Sequence, residues 1–253
     1  MKNKDDTAEP GGLTRRELLG SSAALLIGAS VPVQALTLQG TPTWKPLDNV
    51  AVAPVDTEAE WQFFTEEEAA TVEAIVERLI PEDDLSMSGK DAGCAIFIDR
   101  QLASAYGEFE RLYMHGPFQD GRPEQGDQSA LTPQQRYRLG LGSLNDYCRH
   151  EHNAAFAELS GDQRDQILSQ LEQNDIQLDD IDTLLFFEIV LQNTMEGFFA
   201  DPLYGGNRDM VSWKMLGFPG ARYDYRNYVE RHNEDLRFEP VSIGGRSDWQ
   251  TQG

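Results

Sequence analysis

Apolar residues recur every three to four positions through most of this chain, and each repeat opens on a recognisable cap. Thr65 with Glu68 reads as a reciprocal capping pair, after which Ala69, Val72, Val76, Leu79 and Ile80 fall on one helical face. Pro81 stops that helix. Ser88 with Asp91 predicts the next start, with Cys94, Phe97, Ile98, Leu102 and Ala105 turned inward. Thr132-Pro133-Gln134-Gln135 combines a cap, a proline at the first helical position and a glutamine three after the cap. Its inward stripe is Tyr137, Leu141, Leu144 and Cys148. Ser160 with Gln163 opens a shorter helix with Ile167, Leu168 and Leu171 inside. From Ile181 to Phe199 the chain is apolar on almost every side, which predicts a central helix buried on most faces.

No segment alternates with period two between turn signals, so the pattern predicts an all-α fold without a sheet. The expected organisation is one compact helical domain over residues 63–232 with long irregular loops. An extended arm over 36–62 precedes it, carrying Pro42, Pro46 and Pro54, with Trp44, Trp61, Phe63 and Phe64 available to pin it down. A polar tail over 233–253 follows. A long loop from about Tyr106 to Leu131, rich in Gly, Pro and Gln, is of the length usually reserved for docking or function.

The first 35 residues change the cellular picture. Arg15-Arg16 is followed by a weakly apolar run of about 16 residues, and Val33-Gln34-Ala35 supplies small residues at the cleavage offsets. This is the pattern of a twin-arginine export signal ending at Ala35, which predicts a periplasmic protein handed to the twin-arginine translocase. A spanning anchor would need about 20 more strongly apolar residues. Net charge is -22. A surface so acidic opposes nucleic acid, whose phosphates require Lys and Arg, and anionic lipid as well. Beyond the first residues only Lys45, Lys90 and Lys214 remain, so Arg carries most of the positive charge. Such a surface suits a salt-tolerant source, and equally a merely acidic soluble protein.

Catalytic signatures are absent. There is no GxGxxG, no GxxxxGK[ST] and no GxSxG. None of His115, His150, His152 or His232 follows a Glu by three, as a carboxylate-bridged metal pair in a helical bundle requires. Weaker candidates remain. Glu188, Gln192 and Glu196 form a polar stripe on the greasy helix, where Glu188 is expected to pair with an Arg. His150 and His152 fall on different helical faces near a C-terminus, an arrangement that suits a partly protonated imidazole better than shared metal ligation. Cys94 and Cys148 each lie on an apolar stripe, and the sequence leaves buried free thiols and a helix-to-helix disulfide both open. Tyr223, Tyr225 and Tyr228 fit core or interface equally.

One stretch breaks the helical pattern: GFFADPLYGGNRDMVSWKMLGFPG, Gly197 to Gly220. Asp201-Pro202 forces a turn, and Gly205-Gly206-Asn207 permits left-handed backbone. Its aromatic residues could simply cap the core. Alternatively they form a rigid protrusion, with Phe198, Phe199, Asp201, Tyr204, Asn207, Arg208, Trp213 and Phe218 as interface candidates. No nucleophile stands beside a base here, so a functional role would be docking.

This stretch closely resembles the signature of the gluconate 2-dehydrogenase subunit 3 family. "LIPEDD", "FIDRQLASAYG", "YMHGPF" and "LTPQQRYRLGL" match the family pattern in the same order, and the resemblance runs from about Phe64 to Tyr225. The resemblance implies a small subunit with no cofactor of its own. Its partner would be a large FAD-dependent oxidoreductase of the glucose–methanol–choline type acting on a sugar or polyol. A multihaem cytochrome c subunit usually completes such complexes. The small subunit would stabilise the large one and escort it through the twin-arginine pathway, leaving the complex peripheral to the inner membrane. A general periplasmic chaperone or binding module and a self-standing helical enzyme are the alternatives.

Overall fold

Six α-helices supply the regular structure of residues 60–119, 121–122, 125, 128–222 and 225–243, the part of the chain described by the computed structural model. They are α1 (Glu66–Leu79), α2 (Cys94–Leu102), α3 (Pro133–His152), α4 (Gly161–Glu172), α5 (Thr183–Phe199) and α6 (Val211–Leu216). Arg15, Arg16 and Ala35 of the export signal, Trp44 of the arm, and Tyr223 lie outside the described residues. The described residues all belong to one unit and contain no sheet, only a single bridge between Gly220 and Val241.

Capping chemistry sets three of the starts. The Thr65, Thr132 and Ser160 hydroxyls accept from the N–H of the residue three ahead, and the Glu68, Gln135 and Gln163 side chains reach back to the cap N–H. Ser88 makes the equivalent bond to the Asp91 N–H, at 3.1 Å, but no helix begins there. The chain runs on through a turn, Gly93 adopts φ 82°, and α2 starts only at Cys94. Asp182 caps α5, its carboxylate accepting from the Leu185 N–H at 2.8 Å.

α5 is the axis of the molecule, packing against α1, α2, α3, α4 and α6. Phe186, Phe187, Ile189, Val190 and Phe198 bury its inner faces. Each such side chain contributes about 1.5–3 kcal/mol by leaving water. The α3 crossing is close: a Cβ on Gly140 would collide with the Phe186 ring. The helix is not enclosed all round, however. Leu184, Glu188, Gln192, Met195 and Glu196 are exposed. Glu188 therefore faces water and makes no ion pair among the described residues, contrary to the expected buried Arg pair. An exposed carboxylate needs no such partner. Gln192 and the buried Asn193 both donate to Glu196, at 2.8 and 3.0 Å.

Asp99 on α2 is fully buried and ties down the approach to α1. Its carboxylate accepts from the N–H groups of Gln62, Phe63 and Phe64 at 2.9, 2.9 and 3.0 Å, and from Arg100 at 2.7 Å. Phe64 is buried, and Trp61 and Phe63 pack partly buried against the core. The last residues before α1 are thus held by these aromatics and by a carboxylate from α2. Cys94 and Cys148 are free and buried, so no disulfide joins α2 to α3. Burial pushes the Cys94 thiol up to about 12 and the Cys148 thiol up to about 11.

The tail expected to be polar and extended beyond residue 232 returns to the body. Pro240, Val241 and Ser242 are buried. Val241 accepts from the Ala221 N–H at 2.7 Å and donates to the Pro219 carbonyl at 3.2 Å. Phe238 packs edge-on against Tyr225 and Tyr228 and lies under the Arg222 guanidinium. Tyr225 and Tyr228 therefore hold this C-terminal strap. No helix among the described residues is long and apolar enough to cross a membrane.

Candidate functional site

The stretch after α5 builds a surface of tight turns around a polar interior. Ala200 leaves the helix with ψ 164°, and Asp201 starts the 3-10 turn Pro202–Tyr204. Gly205 at φ 104° ends that turn. Gly206 then lies so close to α5 that a Cβ would collide with the Gly197 carbonyl oxygen, an approach only glycine tolerates. Asn207, at φ 50°, is fully buried and holds both ends of the loop. It donates to the Ala200 carbonyl at 2.8 Å, and its carbonyl accepts from the Ser212 N–H and hydroxyl at 3.0 and 2.8 Å. Asp209 and Met210 are also left-handed, at φ 56° and 54°, so three non-glycine residues adopt a costly backbone within four positions. Such strain persists where surrounding contacts over-determine it, and here Met210, at the start of α6, is buried.

Asp201 joins this loop to the strap. Its carboxylate accepts from the Leu203 N–H at 2.9 Å, the Ser242 hydroxyl at 2.7 Å and the Ile243 N–H at 2.8 Å. Trp213 lies inside, its indole N–H donating to the Phe199 carbonyl at 2.9 Å and its ring meeting Phe218 edge-on at 5.3 Å.

The interface candidates therefore divide. Phe198, Asp201, Asn207 and Trp213 are buried and form the scaffold. Phe199 and Arg208 are half-buried, and only Tyr204 and Phe218 are exposed. Truncating Trp213 would act first on the fold. Three further residues complete the outer surface: Leu203, 51% exposed, and Met215 and Leu216, the latter 63% exposed. Nothing in a short apolar segment marks these as outward. The signal, faint in the sequence, is that α6 has only six residues and cannot bury every apolar side chain it carries. The long loop bears a second exposed set, Leu112, Tyr113 and Phe118, with Tyr113 edge-on to His115 at 5.2 Å.

Acid–base chemistry finds no such framework. His150 and His152 are exposed at the end of α3, with His150 2.8 Å from Glu151. Among the described residues no three His, Cys, Asp or Glu side chains gather as metal ligands. Asn193 accepts from the buried Tyr137 hydroxyl at 3.0 Å and donates to the Tyr106 hydroxyl at 3.2 Å. Burial pushes both phenols upward, that of Tyr137 furthest, so they remain neutral donors inside the bundle.

The helical body thus carries a braced, outwardly apolar surface after α5, in addition to the exposed set of the long loop. The chain belongs to the gluconate 2-dehydrogenase subunit 3 family, whose model matches residues 66–220. The match runs from the first residue of α1 through the bridging Gly220 and stops before the strap. Comparisons with curated proteins and with solved structures return no significant match.

Proposed function

We propose that the chain is the non-catalytic small subunit of a flavoprotein dehydrogenase complex in the periplasm. Its role is to stabilise an FAD-bearing large subunit of the glucose–methanol–choline type and to take it through the twin-arginine pathway. The oxidation of a sugar or polyol, the FAD, and any haem c belong to the partners. The observation that carries this reading is the exposure of Leu203, Tyr204, Met215, Leu216 and Phe218 on a loop braced from within by Asn207, Asp201 and Trp213. Rigid aromatic and aliphatic groups held outward cost little further ordering when a partner covers them, which favours docking.

Membership in a family of dehydrogenase subunits supports the choice of partner. The Arg15-Arg16 leader supports the escort, since that pathway carries folded proteins together with whatever is bound to them. Deleting Met1–Ala35 tests it. The large subunit should remain in the cytoplasm with its flavin bound. A large subunit that still reaches the periplasm without this leader refutes the escort role.

A further inference from the structure

The charge on the docking surface runs against the charge of the whole. From Pro202 to Arg222 three cations, Arg208, Lys214 and Arg222, stand against one anion, Asp209, on a chain of net charge -22. Asp201, just before this segment, is turned inward to the strap. Cations on the helical body are mostly committed: Arg78 to Asp165, Lys90 to Glu73, Arg138 to Glu68, Arg149 to Glu67 and Arg164 to Glu77. Arg208 and Lys214 make no ion pair among the described residues. Lys214 is exposed beside Met215 and Leu216, and Arg208 lies half-buried in the turn that touches both Pro202–Tyr204 and α6. Uncommitted positive charge thus borders the exposed apolar group, and Arg111 and Arg122 of the long loop are other exposed cations without an ion pair among the described residues.

We infer that this surface receives a protein face with an apolar recess bordered by carboxylates, and that the acidic remainder of the chain orients the encounter. The inference rests on the docking role proposed above and adds the chemistry of the partner's face. The physical reason is complementarity under a strong opposing field. An acidic partner surface is repelled by most of this chain and attracted at Arg208 and Lys214, as it is at the exposed Arg111 and Arg122 of the long loop. Wrong approaches are thereby suppressed and the productive one is steered. Paired cations elsewhere offer no comparable attraction, because their charge is already answered locally. Steering of this kind acts on the association rate, and salt abolishes it as the screening length falls from about 8 Å at physiological ionic strength to about 3 Å at 1 M.

The test uses the flavin-bearing subunit that co-purifies with the full chain, identified by its flavin absorbance and mass, then separated and returned to purified variants. The double variant Arg208→Glu, Lys214→Glu should slow association by about tenfold at low salt, with the deficit vanishing near 1 M. Leu216→Asp should weaken binding at every salt concentration. Loss with Leu216→Asp but none with the charge reversal overturns the carboxylate rim and leaves the docking role standing. Indifference to both, or recovery of no flavoprotein with the unaltered chain, overturns the docking role as well. If the charge reversal instead abolishes a self-association seen by sedimentation, the occupant is a second copy and the inference fails.

Discussion

Replacing Asp201 by alanine should release the C-terminal strap while leaving the helical bundle folded. Asp201 is 8% exposed and its carboxylate serves three donors, two of which, the Ser242 hydroxyl and the Ile243 N–H, belong to the strap. Ser242 is buried, so losing this bond is felt inside the strap. Losing a hydrogen bond costs about 0.5–1.5 kcal/mol and leaving a buried donor unsatisfied about 1–3 kcal/mol, so losing the Ser242 and Ile243 bonds to Asp201 together costs about 2–4 kcal/mol. The strap then keeps the pair of backbone bonds at Val241, the Val241 side chain and the stacking around Phe238. Ordering the strap costs about 1–2 kcal/mol per residue, so these contacts do not hold it alone. Hydrogen exchange read by mass spectrometry checks this. In Asp201→Ala, protection should disappear at Ala221, Val241 and Ile243 and persist in α1, α3 and α5. The exposed Asp209→Ala should leave both regions unchanged. Undiminished protection at Val241 and Ile243 in Asp201→Ala would refute the reasoning, and so would uniform loss of protection across the bundle.

Other outcomes rest on the packing and the ionisable groups. Gly140→Ala should cost more than the usual 1–3 kcal/mol of overpacking, because its Cβ would fall inside the Phe186 ring contact, and a thermal melt reads the loss. Cys94 and Cys148 should resist a thiol reagent in the native protein at pH 8 and react together on unfolding. Their native acidities lie above the usual thiol value, so the stability they lend is complete below about 9 and declines as pH rises toward about 11 and about 12, a trend that Cys94→Ala, Cys148→Ala should flatten. The Arg78 guanidinium lowers the Asp165 carboxyl, so that pair stabilises above the ordinary carboxylate range and its contribution is lost as pH falls through the lowered native value. Both groups are substantially exposed, so Asp165→Asn should cost no more than about 1 kcal/mol at pH 7 and nothing in strong acid.

The helices were legible because their information is local. The caps at Thr65, Thr132 and Ser160 form as their spacing requires, and Tyr137, Leu141, Leu144 and Cys148 are all buried. Ser88 shows the limit: its capping bond forms, but the left-handed Gly93 delays the helix, and a cap pair carries no information about the backbone beyond its own turn. Glu188 was misplaced because a helix apolar on most sides conceals which narrow face meets water. At the proposed docking surface, the left-handed turns were legible in Gly205-Gly206-Asn207. The inward direction of Asp201 and Asn207 was not, since a polar residue in an aromatic loop reads as a contact residue until its partners forty positions away, or on the far side of the turn, are known. The strap was hidden for the same reason: Phe238 to Ile243 carry no periodicity, and their burial depends on Asp201, Pro219 and Ala221.

The central claim is that the chain acts through the outer face of residues 203–218 and leaves the redox chemistry to its partner. Hydrogen exchange and hydroxyl-radical footprinting of the full chain, alone and in complex with the proposed flavoprotein subunit, test this directly. The account predicts new protection of Leu203, Tyr204, Met215, Leu216 and Phe218 in the complex, with Glu188 and Gln192 on the exposed stripe of α5 unchanged. A complex that forms while those five side chains remain as reactive as in the free chain would contradict it.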